Sequence, residues 1–303
     1  MKIPQPFQYQ GSKRALAATI IEYLPAGMAR MVEPFSGSAA LSIACAALGH
    51  GKQFWLNDCN APLSQLMDRI IHAPETVADF YKSLWIDNLE KSITRYYCAR
   101  EEFNRSNDPL LLLYLLARCV KGSVRYNADG LFNQSPDKRR LGTHPDTLRR
   151  NLLSVSALLY GRAQVSAGHY RDVLARCGYD DVVYMDPPYQ GVCGERDSRY
   201  CSGIDFDEFV FALERLNDLN VRFLVSYDGR SGIRSYGKPL PDALDLTCVE
   251  LEAGRSSQAT LLGRQDVTVE SLYLSRRLAD ELQIAVAPRR AVRAASRQDA
   301  LFA

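Results

Sequence analysis

The chain of 303 residues has 47% hydrophobic content, enough to bury one large core or two modest ones. Its formal net charge of +2 is small, so any nucleic-acid surface must come from local clusters of basic residues. The sequence has no apolar run of about 18 residues and no apolar block behind Met1, which predicts a cytoplasmic protein without a membrane segment.

The cysteine and histidine pattern argues against a metal site. The 8 cysteines contain no C-x-x-C pair, and the 4 histidines are scattered along the chain. We therefore expect reduced thiols in a reducing compartment and no bound metal.

The first predicted helix follows a short polar segment. Gly11, Ser12 and Lys13 precede residues 15–24, whose apolar spacing is helical. Ser12 is placed to cap this helix, and the N–H groups at its start, together with Lys13, suit a carboxylate or a phosphate. An ordinary capped surface helix is the alternative interpretation.

A strand, a turn of small residues and a second helix come next. Residues 31–33 predict the strand, Gly37 and Ser38 lie in the turn, and an alanine-rich helix runs through residue 48. This order is typical of the first half of a Rossmann-like unit, in which Gly37 lets a ligand approach the backbone. The turn lacks the G-x-G-x-x-G spacing, which argues against a dinucleotide.

A second predicted strand, residues 53–56, ends in Asn57 and Asp58. A carboxylate at this strand end can accept hydrogen bonds from ribose hydroxyls, or it can cap the next helix. The residues alone leave both interpretations open.

The alternation of strands and helices stops between residues 61 and 159. Helices are predicted at 62–71, 77–84, 93–103 and 110–120, which indicates a helical insertion into an α/β domain. Within it, β-prone pieces flank Asn127-Ala128-Asp129-Gly130, a hairpin signal. The basic and aromatic residues of the insertion are Lys121, Arg125, Tyr126, Phe132, Lys138, Arg139, Arg140, Arg149 and Arg150. They suit phosphate contacts and base stacking, with a solvated basic loop as the alternative.

The alternation returns with a short strand at 164–166 and a helix at 170–174. A buried strand at 180–185 then stops at Asp186, Pro187, Pro188 and Tyr189. The prolines make a rigid loop and offer no N–H group, so we expect chemistry at this strand end. A charged loop at 190–205, a helix at 206–219 and a strand at 221–227 follow. The last predicted elements are an antiparallel hairpin, residues 246–251 and 268–275, and a basic tail.

Five separated blocks, taken in order, resemble the Dam-like, D12 class of DNA adenine-N6 methyltransferases in the α-group arrangement. The blocks are Gln10-Gly11-Ser12-Lys13, Glu33-Pro34-Phe35-Ser36-Gly37, Asn57-Asp58, Arg125-Tyr126-Asn127 with Gly130 and Phe132-Asn133, and Asp186-Pro187-Pro188-Tyr189. Their joint occurrence is far more specific than any single block. Ala39 departs from the pattern, because many relatives carry a second glycine there.

The resemblance implies a Rossmann-like S-adenosylmethionine-dependent methyltransferase sheet with a terminal antiparallel hairpin and an inserted helical target-recognition domain. It divides the chain into a catalytic domain (1–60 and 160–278), a recognition domain (61–159) and a flexible basic tail (279–303). The implied cofactor contacts are Tyr9, Gly11, Lys13, Glu33, Phe35, Gly37, Ser38, Asp58, Asp172 and Asp186. The implied DNA contacts are Arg125, Tyr126, Asn127 and Asn133, and the implied catalytic residues are Asp186, Pro187, Pro188 and Tyr189.

The chemistry of adenine methylation is consistent with the loop at Asp186. The amine is a weak nucleophile and is stacked inside duplex DNA, so the base must be flipped out. If Asp186 and the Pro187 carbonyl accept the amine hydrogens, the nitrogen lone pair can aim at the sulfonium methyl. Tyr189 would stack on the base, and Asp186 should be ionised at neutral pH, given an ordinary pKa of about 3.9.

Double-stranded DNA is the expected substrate, a companion restriction endonuclease is compatible with this class, and a monomer is the default expectation. One alternative is cytosine-N4 methylation, since it also modifies an exocyclic amine. Methylation of RNA or of a protein glutamine is another. A DNA-binding module with a vestigial cofactor fold is a non-enzymatic alternative, and a dinucleotide oxidoreductase is the weakest.

Overall fold

The computed structural model describes residues 3–188, 204–231, 234–236, 238–255, 267–284 and 292–293. The strands are β1 (Arg30–Glu33), β2 (Gln53–Asn57), β3 (Ala163–Ser166), β4 (Asp181–Met185), β5 (Arg222–Ser231), β6 (Arg234–Tyr236), β7 (Thr247–Arg255), β8 (Val267–Leu274) and β9 (Val292–Arg293). The helices are α1 (Ala17–Ile21), α2 (Ala40–Ala47), α3 (Ala61–His72), α4 (Pro74–Ser106), α5 (Pro109–Arg118), α6 (Pro145–Leu159), α7 (Tyr170–Leu174), α8 (Phe206–Asp218) and α9 (Arg276–Glu281).

Within these ranges the strands form one mixed sheet in the order β3-β2-β1-β4-β5-β8-β7-β9, and β6 pairs with β5. The first five strands of this order are parallel, whereas β8 is antiparallel to β5 and β7 is antiparallel to β8. The Rossmann-like sheet with a terminal antiparallel pair is therefore confirmed. From β1 the chain continues to β2 on one side and later reaches β4 on the other, and ligands bind beyond the strand ends at such a reversal.

Successive residues of the central strands enter two different cores. Met31 and Val182 pack into a core on one face of the sheet, and their neighbours Val32 and Val183 pack into a core on the other. This follows from the strand geometry, in which consecutive side chains point to opposite faces. Burial on both faces explains why β4 is a continuous apolar run.

The helical segment differs from its prediction in two respects. The helices expected at 77–84 and 93–103 form one helix, α4, because no proline or glycine interrupts residues 75–106. The structure also adds α6, which begins with Pro145 behind a His144 cap. In the described ranges, no helix combines the length and apolarity needed to cross a membrane.

The N-terminal helix is shorter than predicted. A single 3-10 turn, Lys13–Ala15, precedes α1, and α1 covers only Ala17–Ile21 of the expected 15–24. Ser12 does not cap either element with its side chain. Its Oγ accepts a hydrogen bond from Ser38 Oγ at 3.1 Å, so Ser12 ties the N-terminal segment to the turn after β1.

Candidate active site

A cavity of about 360 Å³ opens at the carboxyl ends of β1, β2 and β4. Small-ligand sites typically measure about 300–1,000 Å³. Most residues of the predicted site line this cavity: Tyr9, Gly11, Lys13, Glu33, Phe35, Gly37, Ser38, Asp58, Asp186, Pro187 and Pro188. The strand reversal at β1 thus brings together blocks that lie far apart in the sequence.

Two of the predicted catalytic and cofactor-binding residues are not placed in the cavity. Asp172 is exposed on α7, whereas the preceding residues 168–170 line the wall. Tyr189 lies outside the described residues, as do residues 190–203 of the charged loop.

The turn after β1 approaches the N-terminal segment closely. Gly37 has a φ of +50°, and a Cβ added there would lie 2.9 Å from Cε1 of Tyr9. Ala39, which replaces the second glycine of many relatives, has a φ of +51° and still adopts the left-handed conformation. The turn therefore keeps a glycine-like backbone at Ala39, at a cost that glycine would not incur.

Asp58 holds this turn from the next strand. Its Oδ2 accepts from the Gly37 N–H at 3.0 Å, and its Oδ1 accepts from the Asn60 N–H at 2.9 Å. The cap of α3 is Asn60, whose Oδ1 accepts from the Leu63 N–H, so the interpretation of Asp58 as a helix cap is wrong. Burial raises the pKa of Asp58, and the two backbone N–H donors oppose that shift.

Asn57 connects the loops that surround the cavity. Its side chain is fully buried, and its Nδ2 donates to the carbonyl oxygens of Pro34 and Gly168, both at 3.0 Å. Its Oδ1 accepts from Ser166 Oγ at 2.7 Å. Both hydrogens and the oxygen of the amide are thus used, which fixes the loops after β1 and β3 relative to each other. This role of Asn57 was not predicted from the sequence, because both acceptors lie far away along the chain.

An ion cluster forms at the end of β4. Lys13 Nζ lies 3.1 Å from Asp186 Oδ1 and 3.0 Å from Glu270 Oε2, and Lys13 is buried. Burial raises the pKa of Asp186 to about 6, a shift that Glu270 reinforces and Lys13 opposes. Asp186 is therefore less acidic than its ordinary value suggests. Glu270 was not predicted from the sequence, because one carboxylate in a strand gives no signal.

Glu33 is a second buried carboxyl on the cavity wall. Its Oε1 accepts from the Ser42 N–H at 2.9 Å, at the start of α2. Burial raises its pKa to about 7, and the negative charge of Asp186 adds to the shift. Glu33 thus changes charge near neutral pH inside the candidate site.

Aromatic rings form the other end of the cavity. The Phe35 and Tyr170 ring centroids are 5.2 Å apart, and Phe209 packs behind both rings. Tyr170 is buried, and among the described residues its hydroxyl has no hydrogen-bond partner. The cavity therefore joins a flat apolar end with an unused hydroxyl to an end lined by charged groups.

The predicted hairpin is a tight turn whose strand pairing is a single bridge, Tyr126 with Phe132. Asn127 Oδ1 accepts from the N–H groups of Asp129 and Leu131, so Asn127 stabilises the turn itself. Tyr126 OH accepts from Asn60 Nδ2 at 3.1 Å, which brings the turn within two residues of Asp58.

The other two predicted DNA contacts also lie on this turn. Arg125 is half-buried, and its Nε has no hydrogen-bond partner among the described residues, whereas Asn133 is exposed. None of the four predicted DNA contacts lines the cavity. They lie beside it.

A parallel sheet that reverses its strand order beside a cavity walled by Asp186, Pro187 and Pro188 defines a Rossmann-like methyltransferase. The D12 class N6 adenine-specific DNA methyltransferase family matches residues 9–234. The chain belongs to this family, which confirms the resemblance.

The chain is similar to three named relatives. A DNA adenine methylase of Serratia marcescens is 31% identical over 186 residues, 60% of this chain and 65% of that protein. The retron Ec67 DNA adenine methylase of Escherichia coli is 29% identical over 61% of this chain and 63% of that protein. The DNA N-6-adenine-methyltransferase of Escherichia phage P1 is 28% identical over 75% of this chain and 30% of that protein. Each match covers less than two thirds of the relative's own length.

Proposed function

We propose that this protein transfers a methyl group from S-adenosylmethionine to the N6 amine of an adenine flipped out of duplex DNA. The observation that carries the proposal is the cavity itself. It joins the Asp186-Pro187-Pro188 strand end to the Gly37 turn and to Asp58, at the one strand reversal of the described sheet.

The residues of the cavity fit S-adenosylmethionine in their chemistry. This cofactor has a carboxylate, two cationic groups and a ribose. The cavity wall offers the Lys13 ammonium to the carboxylate, and the carboxyls of Glu33 and Asp58 to the cationic groups and the ribose. Its adenine suits the apolar end, where Phe35 and Tyr170 present flat faces. When bound, the cofactor supplies an electrophilic methyl group on a sulfonium.

Asp186 and Pro187 would orient the target amine. Their carboxylate and carbonyl oxygens accept its two hydrogens, which leaves the nitrogen lone pair free for the methyl carbon. Methyl transfer to this nitrogen would form an N–C bond at the expense of the S–C bond of the cofactor, whose electron pair would stay on sulfur. The nitrogen then carries positive charge and loses a proton to Asp186 or to water, and a carboxyl with a pKa of about 6 is a suitable acceptor near neutral pH.

The turn at 125–133 is proposed to contact the DNA beside the cavity. Phe132 is anchored on α4, where its N–H and carbonyl oxygen pair with the Asn104 side chain at 2.8 and 3.1 Å. Tyr126 is held by Asn60, close to Asp58. A rigid turn of this kind next to the cavity can follow the strand from which the base is flipped.

The test is transfer of a labelled methyl group to unmethylated duplex DNA, followed by mass spectrometry of the nucleosides. We expect N6-methyldeoxyadenosine with the native protein and its loss with Asp186→Asn. Asp180→Asn is the matched control, because Asp180 is exposed just before the opposite end of β4. Methyl on cytosine N4 would contradict the substrate base, and no transfer to DNA would contradict the function.

A further inference from the structure

At the end of β4 one ammonium group is in contact with two carboxylates. Lys13 Nζ lies between two carboxylates, 3.1 Å from Asp186 and 3.0 Å from Glu270. Counted together, these three groups have a net charge of −1 when all are ionised. The side chains of Asp186 and Glu270 are each 19% exposed, so solvent screens this charge only in part.

Glu270 reaches the cluster because β8 approaches β5 closely. Glu270 is the register partner of Gly229, at an irregularity between Ser226 and Gly229. A Cβ at Gly229 would lie 2.6 Å from the carbonyl oxygen of Val269, so only glycine allows this approach. Glu270 also lies outside the segment that the family matches, residues 9–234. The terminal antiparallel pair thus contributes a residue to the site.

We propose that Glu270 is a positioning residue for methyl transfer: it engages the Lys13 ammonium and so keeps the Asp186 carboxylate a strong acceptor for the target amine. This inference rests on the proposed function. Without the charge of Glu270, Lys13 would neutralise Asp186 alone. Positive charge moves onto the amine nitrogen during transfer, so the surplus negative charge stabilises the transition state more than the ground state.

Several other charged or titratable groups face Asp186. Glu33 on β1 and Tyr184 on β4 interact with it electrostatically. Asp58, Asp205 and Glu208 line the same cavity. None of these contacts Lys13 within ion-pair distance in the described structure, whereas Glu270 does. Replacing Glu270 therefore changes the Lys13–Asp186 pair directly.

The first measurement is the titration of Asp186 in the ligand-free protein, by carbon NMR of labelled aspartate carboxyls, with the signal assigned through Asp186→Asn. We expect a native midpoint near pH 6. Glu270→Gln should lower the midpoint by about one pH unit, because a like charge is removed. Glu270→Asp, which keeps the negative charge, should have a midpoint close to that of the native protein.

The matched control is Glu250→Gln. Glu250 lies on the adjacent strand β7 and is paired with Arg230 at 2.8 Å, so its replacement also removes a strand carboxylate and an ion pair. It should leave the Asp186 titration unchanged. The second measurement is the pH profile of kcat with DNA. In Glu270→Gln the acid limb of this profile should shift to lower pH. In the same variant kcat at pH 8 should fall about tenfold, while KM for DNA should change little.

The outcomes separate the two proposals. An unmoved Asp186 midpoint in Glu270→Gln, or a lower kcat with an unmoved acid limb, overturns the role of Glu270 and leaves methyl transfer standing. A native protein that transfers no methyl to DNA overturns the proposed function, whatever the NMR titration shows. A downward shift in both measurements, reversed by Glu270→Asp, supports the role of Glu270.

Discussion

Tyr9 packs its ring directly over Gly37, so close that a Cβ on the glycine would lie 2.9 Å from Tyr9 Cε1. The same glycine donates its N–H to Asp58 at 3.0 Å. The turn after β1 is thus fixed from the N-terminal segment on one side and from the end of β2 on the other. Its shape depends on a residue without a side chain at a φ of +50°.

We predict that Gly37→Ala lowers the free energy of unfolding by about 2–3 kcal/mol, the sum of a left-handed backbone and an overpacked contact. Gly27→Ala is the control, because Gly27 has a φ of +71° with nothing within 4 Å of an added Cβ. It should cost only about 1 kcal/mol. Urea unfolding of both variants measures the difference, and equal costs would show that the Tyr9 contact is irrelevant.

We predict that the buried Glu33 makes stability fall as pH rises. Its pKa is raised from 4.5 to about 7, so the native carboxyl keeps its proton to a higher pH than the unfolded one. The stabilisation is complete below pH 4.5 and is lost as pH rises through 7, an effect on the order of 3 kcal/mol. Asp186 adds a slope of the same sign.

The measurement is urea unfolding between pH 5 and pH 8 with Glu33→Gln, which keeps an acceptor for the Ser42 N–H. The difference in unfolding free energy between native and variant protein should change over this pH range by most of the roughly 3 kcal/mol expected for Glu33. Glu214→Gln, at an exposed glutamate on α8, should track the native protein. If the unfolding free energies of native protein and Glu33→Gln changed in parallel with pH, Glu33 would not keep its proton to a higher pH in the native state than in the unfolded state.

The sequence was sufficient for the parts of the site that depend on local pattern. The strand that stops at Asp186 and the turn at Gly37 are visible as changes of periodicity and as glycine or proline signals, and both are confirmed as elements. The strand order then determines which strand ends meet, and that order is known from the structure, not from the sequence.

The rest depends on contacts across long distances in the sequence. Glu270 reaches Lys13 only through the pairing of β8 with β5, which no local pattern encodes. The continuity of α4 was missed because its central apolar spacing is weak, although nothing in residues 75–106 ends a helix. Ser12 and Asp58 are residue types that often cap helices, but the Ser12 hydroxyl and one Asp58 oxygen accept hydrogen bonds from residues far along the chain, Ser38 and Gly37.

We predict that Lys138 and Arg139 contribute to DNA affinity without regard to sequence. Both are exposed, between the turn at 125–133 and the start of α6. Replacing both with alanine should weaken binding equally for cognate and unrelated duplexes. The slope of log affinity against log salt should become shallower by about 1.8, roughly 0.9 for each phosphate that the variant no longer neutralises.

The control for this experiment is Arg149→Ala. Arg149 is also basic and partly exposed, but it pairs with Glu75 and lies 2.8 Å from Asp79. Its charge is already balanced within the protein, so the salt slope should not change. If the salt slope became shallower for Arg149→Ala and stayed unchanged for the double variant, the DNA-binding surface would lie nearer to α6 than to residues 138 and 139.

We predict that Asn57→Asp lowers both the stability of the protein and its affinity for the cofactor, although the two side chains have the same shape. The aspartate is isosteric, but it cannot donate to the carbonyl oxygens of Pro34 and Gly168, each 3.0 Å from the present amide nitrogen. A buried carboxylate would instead face two carbonyls, which should cost about 3 kcal/mol or more. Because these carbonyls belong to the loops after β1 and β3, affinity for S-adenosylmethionine should also fall, as calorimetry would show.

Asn217→Asp is the matched control for this last change. Asn217 is a half-buried asparagine on α8 that donates to one carbonyl, that of Leu244, at 2.9 Å and away from the cavity. Its replacement should lower the unfolding free energy by about 1 kcal/mol and leave cofactor affinity intact. If Asn57→Asp and Asn217→Asp reduced cofactor affinity equally, the loss would come from general destabilisation. A loss confined to Asn57→Asp would instead identify this amide as the connection that keeps the loops after β1 and β3 in binding position.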